Sequence, residues 1–182
     1  MRHRRRSVSP RREPPAARGF WAEALAILVM ATALLLVLSL ATYRPEDQVP
    51  WPLGHWSGGA VQNGAGPVGA FLAELLRQLL GYAAWAAPPL LLLLGWRAFW
   101  GHRERRLVHL AGYALLVASA SAALHLLLDA GAPPSPERAG GYIGDLGGRL
   151  LARLLNRWGG LVVAGALFGS SLLLVSRASF VE

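Results

Sequence analysis

The chain has 182 residues, 54% of them hydrophobic, and a formal net charge of +8 carried by eighteen basic residues that are all arginine. It contains no cysteine and no lysine. Disulfides, thiolate metal sites and cysteine nucleophiles are therefore excluded, as is a Walker A loop, whose lysine must reach the β- and γ-phosphates.

Taken in order, residues 1–19 are rich in Arg, Pro and Ser, and seven of the arginines precede Phe20. Such a segment has little to bury and is expected to be a disordered cytoplasmic tail. Arginines beside a span attract anionic lipid headgroups at about 1 kcal/mol each. Non-specific nucleic-acid contact is the weaker alternative. Without interleaved aromatic residues, sequence-specific nucleic-acid binding is not expected.

Residues 24–43 carry no charge, and about twenty such residues suffice to cross a bilayer. The run exceeds the apolar core of a signal peptide and lacks a small-residue cleavage site, so an uncleaved first span is expected. Residues 43–67 then form a loop rich in Pro, Gly and Trp, in which Trp51 and Trp56 suit the headgroup level. His55 has no second metal-type ligand at a fitting distance in sequence.

The stretch from Gln62 to Trp96 is too long for one span and divides in two. Phe71, Leu72, Leu75, Leu76, Leu79 and Leu80 make an apolar face, with Glu74, Arg77 and Gln78 opposite. That pattern predicts a helix lying in the membrane interface. The second span follows at about 81–99. Pro88 and Pro89 remove the amides that would meet the carbonyls of Ala84 and Trp85, and they mark a candidate kink.

A loop with four arginines covers 97–106, and the third span covers about 107–128. Its polar cluster is Ser119, Ser121 and His125. A serine and histidine dyad, with Ser170 or Ser171 as other nucleophiles, would need an oriented base and oxyanion donors. Interhelical hydrogen bonding is the preferred reading. Residues 129–148 read as a second loop, followed by Arg149, Arg153 and Arg157 at spacings of four, with leucines and Trp158 on the other side. The fourth span, about 159–176, carries Gly165 and Gly169 as a candidate GxxxG packing pair. Residues 178–182 read as a truncated cytoplasmic end.

The expected fold is an all-α membrane protein, its four spans (20–177) arranged as two hairpins with interfacial amphipathic helices before spans two and four. An internal echo supports a shared plan: residues 69–76 match residues 148–155 at an offset of 79. With both termini cytoplasmic, twelve arginines lie inside and six outside, the bias that the positive-inside rule requires. No catalytic, metal or cofactor-binding group stands out. A small transporter or channel subunit is the alternative class, and it would require a polar stripe along a span.

These pieces resemble the N-terminal four-span membrane domain of bacterial FtsK/SpoIIIE-type DNA translocases. The likeness covers roughly residues 22–176. It rests on a Y-x-P-x-D turn at Tyr43, Pro45 and Asp47; on Asn63, Gly66, Gly69, Ala70, Ala73 and Leu76; and on Leu80 to Ala83 with the following prolines. Gly140, Gly141, Ile143 and Gly144, with Gly159 and Gly160, complete it. The resemblance implies a membrane anchor and scaffold that holds a hexameric DNA pump at the division septum and contacts other division proteins. It implies no enzyme within these residues, no cofactor, and a homo-oligomer in the bacterial inner membrane.

Overall fold

The computed structural model describes residues 20–47, 61–100, 106–129 and 138–180. The arginine-rich tail, His55 with Trp51 and Trp56, and most of the loop between the second and third spans lie outside the described residues. All regular structure among those residues is helical. The elements are α1 (Phe20–Ala41), α2 (Gly66–Leu80), a 3-10 segment (Gly81–Ala86), α3 (Ala87–Phe99), α4 (Arg106–Leu124) with a π turn (His125–Asp129), and α5 (Gly141–Phe180).

Four stretches are long and apolar enough to cross a membrane: Glu23–Ala41, Gly66–Phe99, His109–Asp129 and Gly141–Ser176. The chain is an all-α membrane protein with four such helices. The second and fourth contain 34 and 36 residues, about 50 Å each if straight, against about 30 Å of hydrocarbon. Each is broken once. Gly81 interrupts the first at φ 61° and ψ −133°, and Asn156 interrupts the second at φ 56° and ψ 174°.

Each break separates a 15-residue two-faced helix, 66–80 or 141–155, from a spanning helix. Residues 141–148, read as loop from their glycines, belong to α5. Those glycines serve packing, because a Cβ on Gly144 would stand 2.3 Å from Ser121 O and one on Gly148 would stand 2.3 Å from the His125 ring.

Pro88 and Pro89 occupy the first turn of α3, where a missing amide removes no intrahelical bond. The Ala84 carbonyl is met by the Ala87 N–H in the tighter 3-10 geometry.

The spans pair as two hairpins, α1 on α3 and α4 on α5. On α1 the buried residues Ala26, Ala33, Leu36 and Leu40 recur at helical spacing, and Gly95 of α3 sits against Met30 and Ala26. Gly112 lets α4 approach Val175 and Leu174. Large apolar side chains such as Leu25, Leu28, Val162 and Leu173 face outward, as lipid-facing positions should.

The internal echo has a different register in three dimensions. Gly66 and Gly141 both take positive φ, as do Gly81 and Asn156. Both pairs lie 75 apart, and at this offset Gly69, Leu75, Leu76, Leu79 and Leu80 fall on Gly144, Leu150, Leu151, Leu154 and Leu155. The offset of 79 is one helical turn away, so a leucine-rich face matches itself there as well.

Candidate functional site: the loop end of the bundle

The turn and loop residues singled out by motif gather at one end, where the connections after α1 and after the π turn lie. Tyr43 begins the first connection. A turn closes from the Asp47 N–H to Arg44 O at 3.1 Å, and Pro45 occupies its second position, where a fixed φ is favourable. Asp47 Oδ1 accepts from the Gln62 N–H at 2.8 Å, and Arg44 donates to Gln62 Oε1 at 2.5 Å. The two ends of the connection are thereby held together.

Asn63 is the pivot of the first hairpin. Its buried carboxamide donates to Ser39 O at 2.9 Å and to Thr42 O at 3.4 Å, meeting carbonyls that the end of α1 leaves unpaired. Its Oδ1 accepts from the Ala65 N–H at 3.0 Å, which turns the chain into α2. Gly66 then takes φ 69°. Gly69 is a contact point: its carbonyl accepts from the Ser39 hydroxyl at 2.5 Å, and a Cβ there would stand 2.8 Å from Asn63 Oδ1.

The polar face of α2 turns towards Tyr43. The Tyr43 hydroxyl donates to Glu74 Oε2 at 2.6 Å, and Gln78 donates to Glu74 Oε1 at 2.7 Å. The Arg77 guanidinium lies 5.3 Å from the Tyr43 ring centre and 4.6 Å from that of Tyr82, within cation–π range.

The second hairpin repeats this construction with different side chains. The Gly140 N–H donates to Asp129 Oδ2 at 3.0 Å, and Gly140 and Gly144 lie against Ser121 O. Asp145 is paired with Arg138 and with Arg149 at 2.8 Å. His125 is buried, and its Nδ1 lies 3.6 Å from Asp145 and 3.8 Å from Asp129. Arg157 reaches back to cap α4, donating to Leu126 O at 2.8 Å and to Leu127 O at 3.0 Å.

A stripe of exposed apolar residues, Tyr142, Leu146, Leu150 and Leu154, runs along the first part of α5 at spacings of four, and Trp158 beyond the break is exposed as well. The stripe lies beside the exposed Arg149 and Arg153. An apolar stripe flanked by guanidinium groups suits the boundary between headgroups and hydrocarbon.

The serine hydroxyls bind carbonyls. Ser119 donates to Leu115 O, Ser121 to Leu80 O across helices, and Ser171 to Phe168 O. Among the described residues no serine is hydrogen-bonded to His125, and no group of three or more His, Asp or Glu is arranged to hold a metal ion. Gly165 and Gly169 face open space. The loop end is a clamp built from caps and turns.

The model of the family described as "4TM region of DNA translocase FtsK/SpoIIIE" matches residues 18–182. The chain belongs to this family. It is 36% identical over 149 residues to a DNA translocase FtsK of Pseudomonas syringae pv. tomato, covering 76% of this chain and 18% of that protein. Against the DNA translocase FtsK of Pseudomonas aeruginosa the identity is 34% over 161 residues, covering 80% and 19%. With that of Shewanella oneidensis it is 27% over 164 residues, covering 85% and 17%. The chain thus spans under a fifth of these relatives' length. No solved structure matches it. What it holds is the family's membrane region and not its motor, a multi-pass inner-membrane anchor.

Several clamp residues had no sequence signal. Ser39, Thr42 and Gln62 are single polar groups in apolar or loop contexts, and only the fold brings them to Asn63 and Asp47. Asp129, Arg138 and Asp145 stood in a stretch read as loop.

Proposed function

We propose that this chain anchors a DNA translocase at the division septum and acts there as a scaffold for other division proteins. Both termini lie in the cytoplasm, and copies gather into a homo-oligomer around the DNA, six in number by analogy with the family's pump. The observation that carries this reading is the match of the four-span region to proteins named DNA translocase FtsK. The built loop end supports the scaffold part, since anchoring alone needs only apolar length.

A fluorescent protein fused after Glu182 and imaged in dividing bacteria tests topology and address together. A bright midcell band is expected. An even glow around the envelope would remove the septal role from these residues. A dark cell containing the intact fusion would overturn the cytoplasmic C-terminus.

A further inference from the structure

The two hairpins meet head to tail at the loop end, where the close of one two-faced helix meets the start of the other; at the opposite end Arg97 donates to Val175 O at 3.1 Å. The Leu80 carbonyl accepts from the Ser121 hydroxyl at 3.2 Å, and the Tyr82 N–H donates to Ala139 O at 2.8 Å. The backbones are in direct contact. A Cβ on Gly81 would stand 2.0 Å from Ala139 O, and one on Gly141 would stand 2.5 Å from Gly81 N.

The 75-residue repeat means that each hairpin carries both halves of this joint, although the chain uses only one of each. The helix end at Gly81 recurs at Asn156. The helix start at Ala139 to Gly141 recurs at Gly64 to Gly66. Among the described residues these second halves are less covered than the first, although the Gly64 N–H donates to the Thr42 hydroxyl at 2.9 Å. Gly81 is buried but Asn156 is exposed. Leu80 is half-buried whereas Leu155 is 45% exposed, and Ala139 is 6% exposed whereas Gly64 is exposed. Gly141 is packed on Leu79 and Gly81, but a Cβ on Gly66 would meet nothing within 4 Å.

We infer that a second copy of this chain fills the vacant joint, its helix start at 64–66 receiving the helix end at 155–157 of its neighbour. The inference rests on the homo-oligomer part of the function proposed above and is independent of septal placement. Such an interface uses different patches on the two partners, so it repeats from copy to copy and closes into a ring when the rotation permits. Hairpins would then follow one another around the ring, with joints alternating within and between chains. The joint between chains differs from the internal one in one respect. Asn156 has a side chain where Gly81 has none, so the backbones stand further apart and its carboxamide donates to the Gly64 carbonyl across the gap.

The absence of native cysteine makes the test direct. Ala65→Cys and Leu155→Cys are introduced singly and together into the whole chain, expressed in bacterial membranes and treated with a short bismaleimide. The double variant should give a ladder of dimers, trimers and larger species. Co-expressed single variants should give dimers only, and either single variant alone should stay monomeric. Dimers from Leu155→Cys alone would show a two-fold contact and overturn the head-to-tail joint. So would a monomeric double variant whose cysteines react with a monofunctional maleimide. Co-purification of two differently tagged copies separates the levels: copies that co-purify without a ladder refute this joint alone, while copies that do not co-purify refute the homo-oligomer as well.

Discussion

Replacing Gly81 by alanine tests the loop-end contact between the two hairpins. Gly81 holds φ 61° and ψ −133°, sparsely populated space that costs a residue with a Cβ about 1–3 kcal/mol. The new methyl would stand 2.0 Å from Ala139 O and 2.6 Å from Arg138 O. Both are backbone atoms with no rotamer to move into, and overpacking of this kind costs about 1–3 kcal/mol. Relief by separation would break the 2.8 Å bond from Tyr82 to Ala139, a loss of about 1 kcal/mol. With either the clash or the separation added to the backbone cost, the change should destabilise the packed bundle by about 2–6 kcal/mol. Gly165→Ala is the control, because nothing lies within 4 Å of its Cβ position and alanine is favoured inside a helix by about 0.5–1 kcal/mol. Both variants are titrated from mild detergent into dodecyl sulfate while the fluorescence of the seven tryptophans is followed. The Gly81→Ala midpoint should fall well below that of the parent, and the Gly165→Ala midpoint should hold or rise. Agreement of the two variants to within about 0.5 kcal/mol, the range of a neutral surface change, would mean that the hairpins are not joined at Gly81.

The same titration reads three further changes. Asn63→Ala leaves Ser39 O and the Ala65 N–H without their partners and should cost about 2–3 kcal/mol; a shift under a third of that would remove Asn63 as the pivot. Tyr43→Phe deletes one hydrogen bond to Glu74 and should cost about 1 kcal/mol. Asn156→Gly relieves a residue at φ 56° and ψ 174°, conformational space that is essentially glycine's, so stability should rise by about 1 kcal/mol. Arg157→Ala uncaps Leu126 and Leu127, and amide hydrogen exchange across the π turn should quicken while α1 and α3 are unaffected.

The spans were legible because a bilayer sets their length, and any uncharged run of sufficient extent satisfies that requirement. The division of the second and fourth stretches was legible too, because the two-faced segments follow a helical period. The glycines of 140–148 were harder to read. In composition they look like loop, but in the fold Gly144 and Gly148 are flat places against which Ser121 and His125 lie. Glu74, Arg77 and Gln78 formed a recognisable polar face, yet nothing in the sequence directed that face to Tyr43 and Tyr82. The repeat was visible only to within one turn, since Leu-Leu pairs at spacings of four match themselves again after four residues. Backbone conformation fixed the register, through three glycines and an asparagine that no periodicity marks.

An anchor that did no more than tie a motor to a bilayer would need apolar length at its spans and little specificity elsewhere. Nine of the motif positions, Tyr43, Pro45, Asp47, Asn63, Gly66, Gly69, Gly140, Gly141 and Gly144, fall at the loop end, and none of these falls beside Phe99 or Phe180 at the other. Each does something that apolar length cannot do. Asn63 meets stranded carbonyls, Gly69 and Gly144 admit a neighbouring helix, and Gly141 turns back against Gly81. In the proposed orientation this layer lies on the far side of the membrane from the cytoplasmic motor, so rigidity there cannot serve a grip on DNA. It can hold two short helices and their exposed stripe of Tyr142, Leu146, Leu150 and Leu154 in fixed relation to the bilayer surface. Partners that recognise the anchor should therefore be sought at this layer, and variants that loosen it should lose those partners while remaining inserted in the membrane.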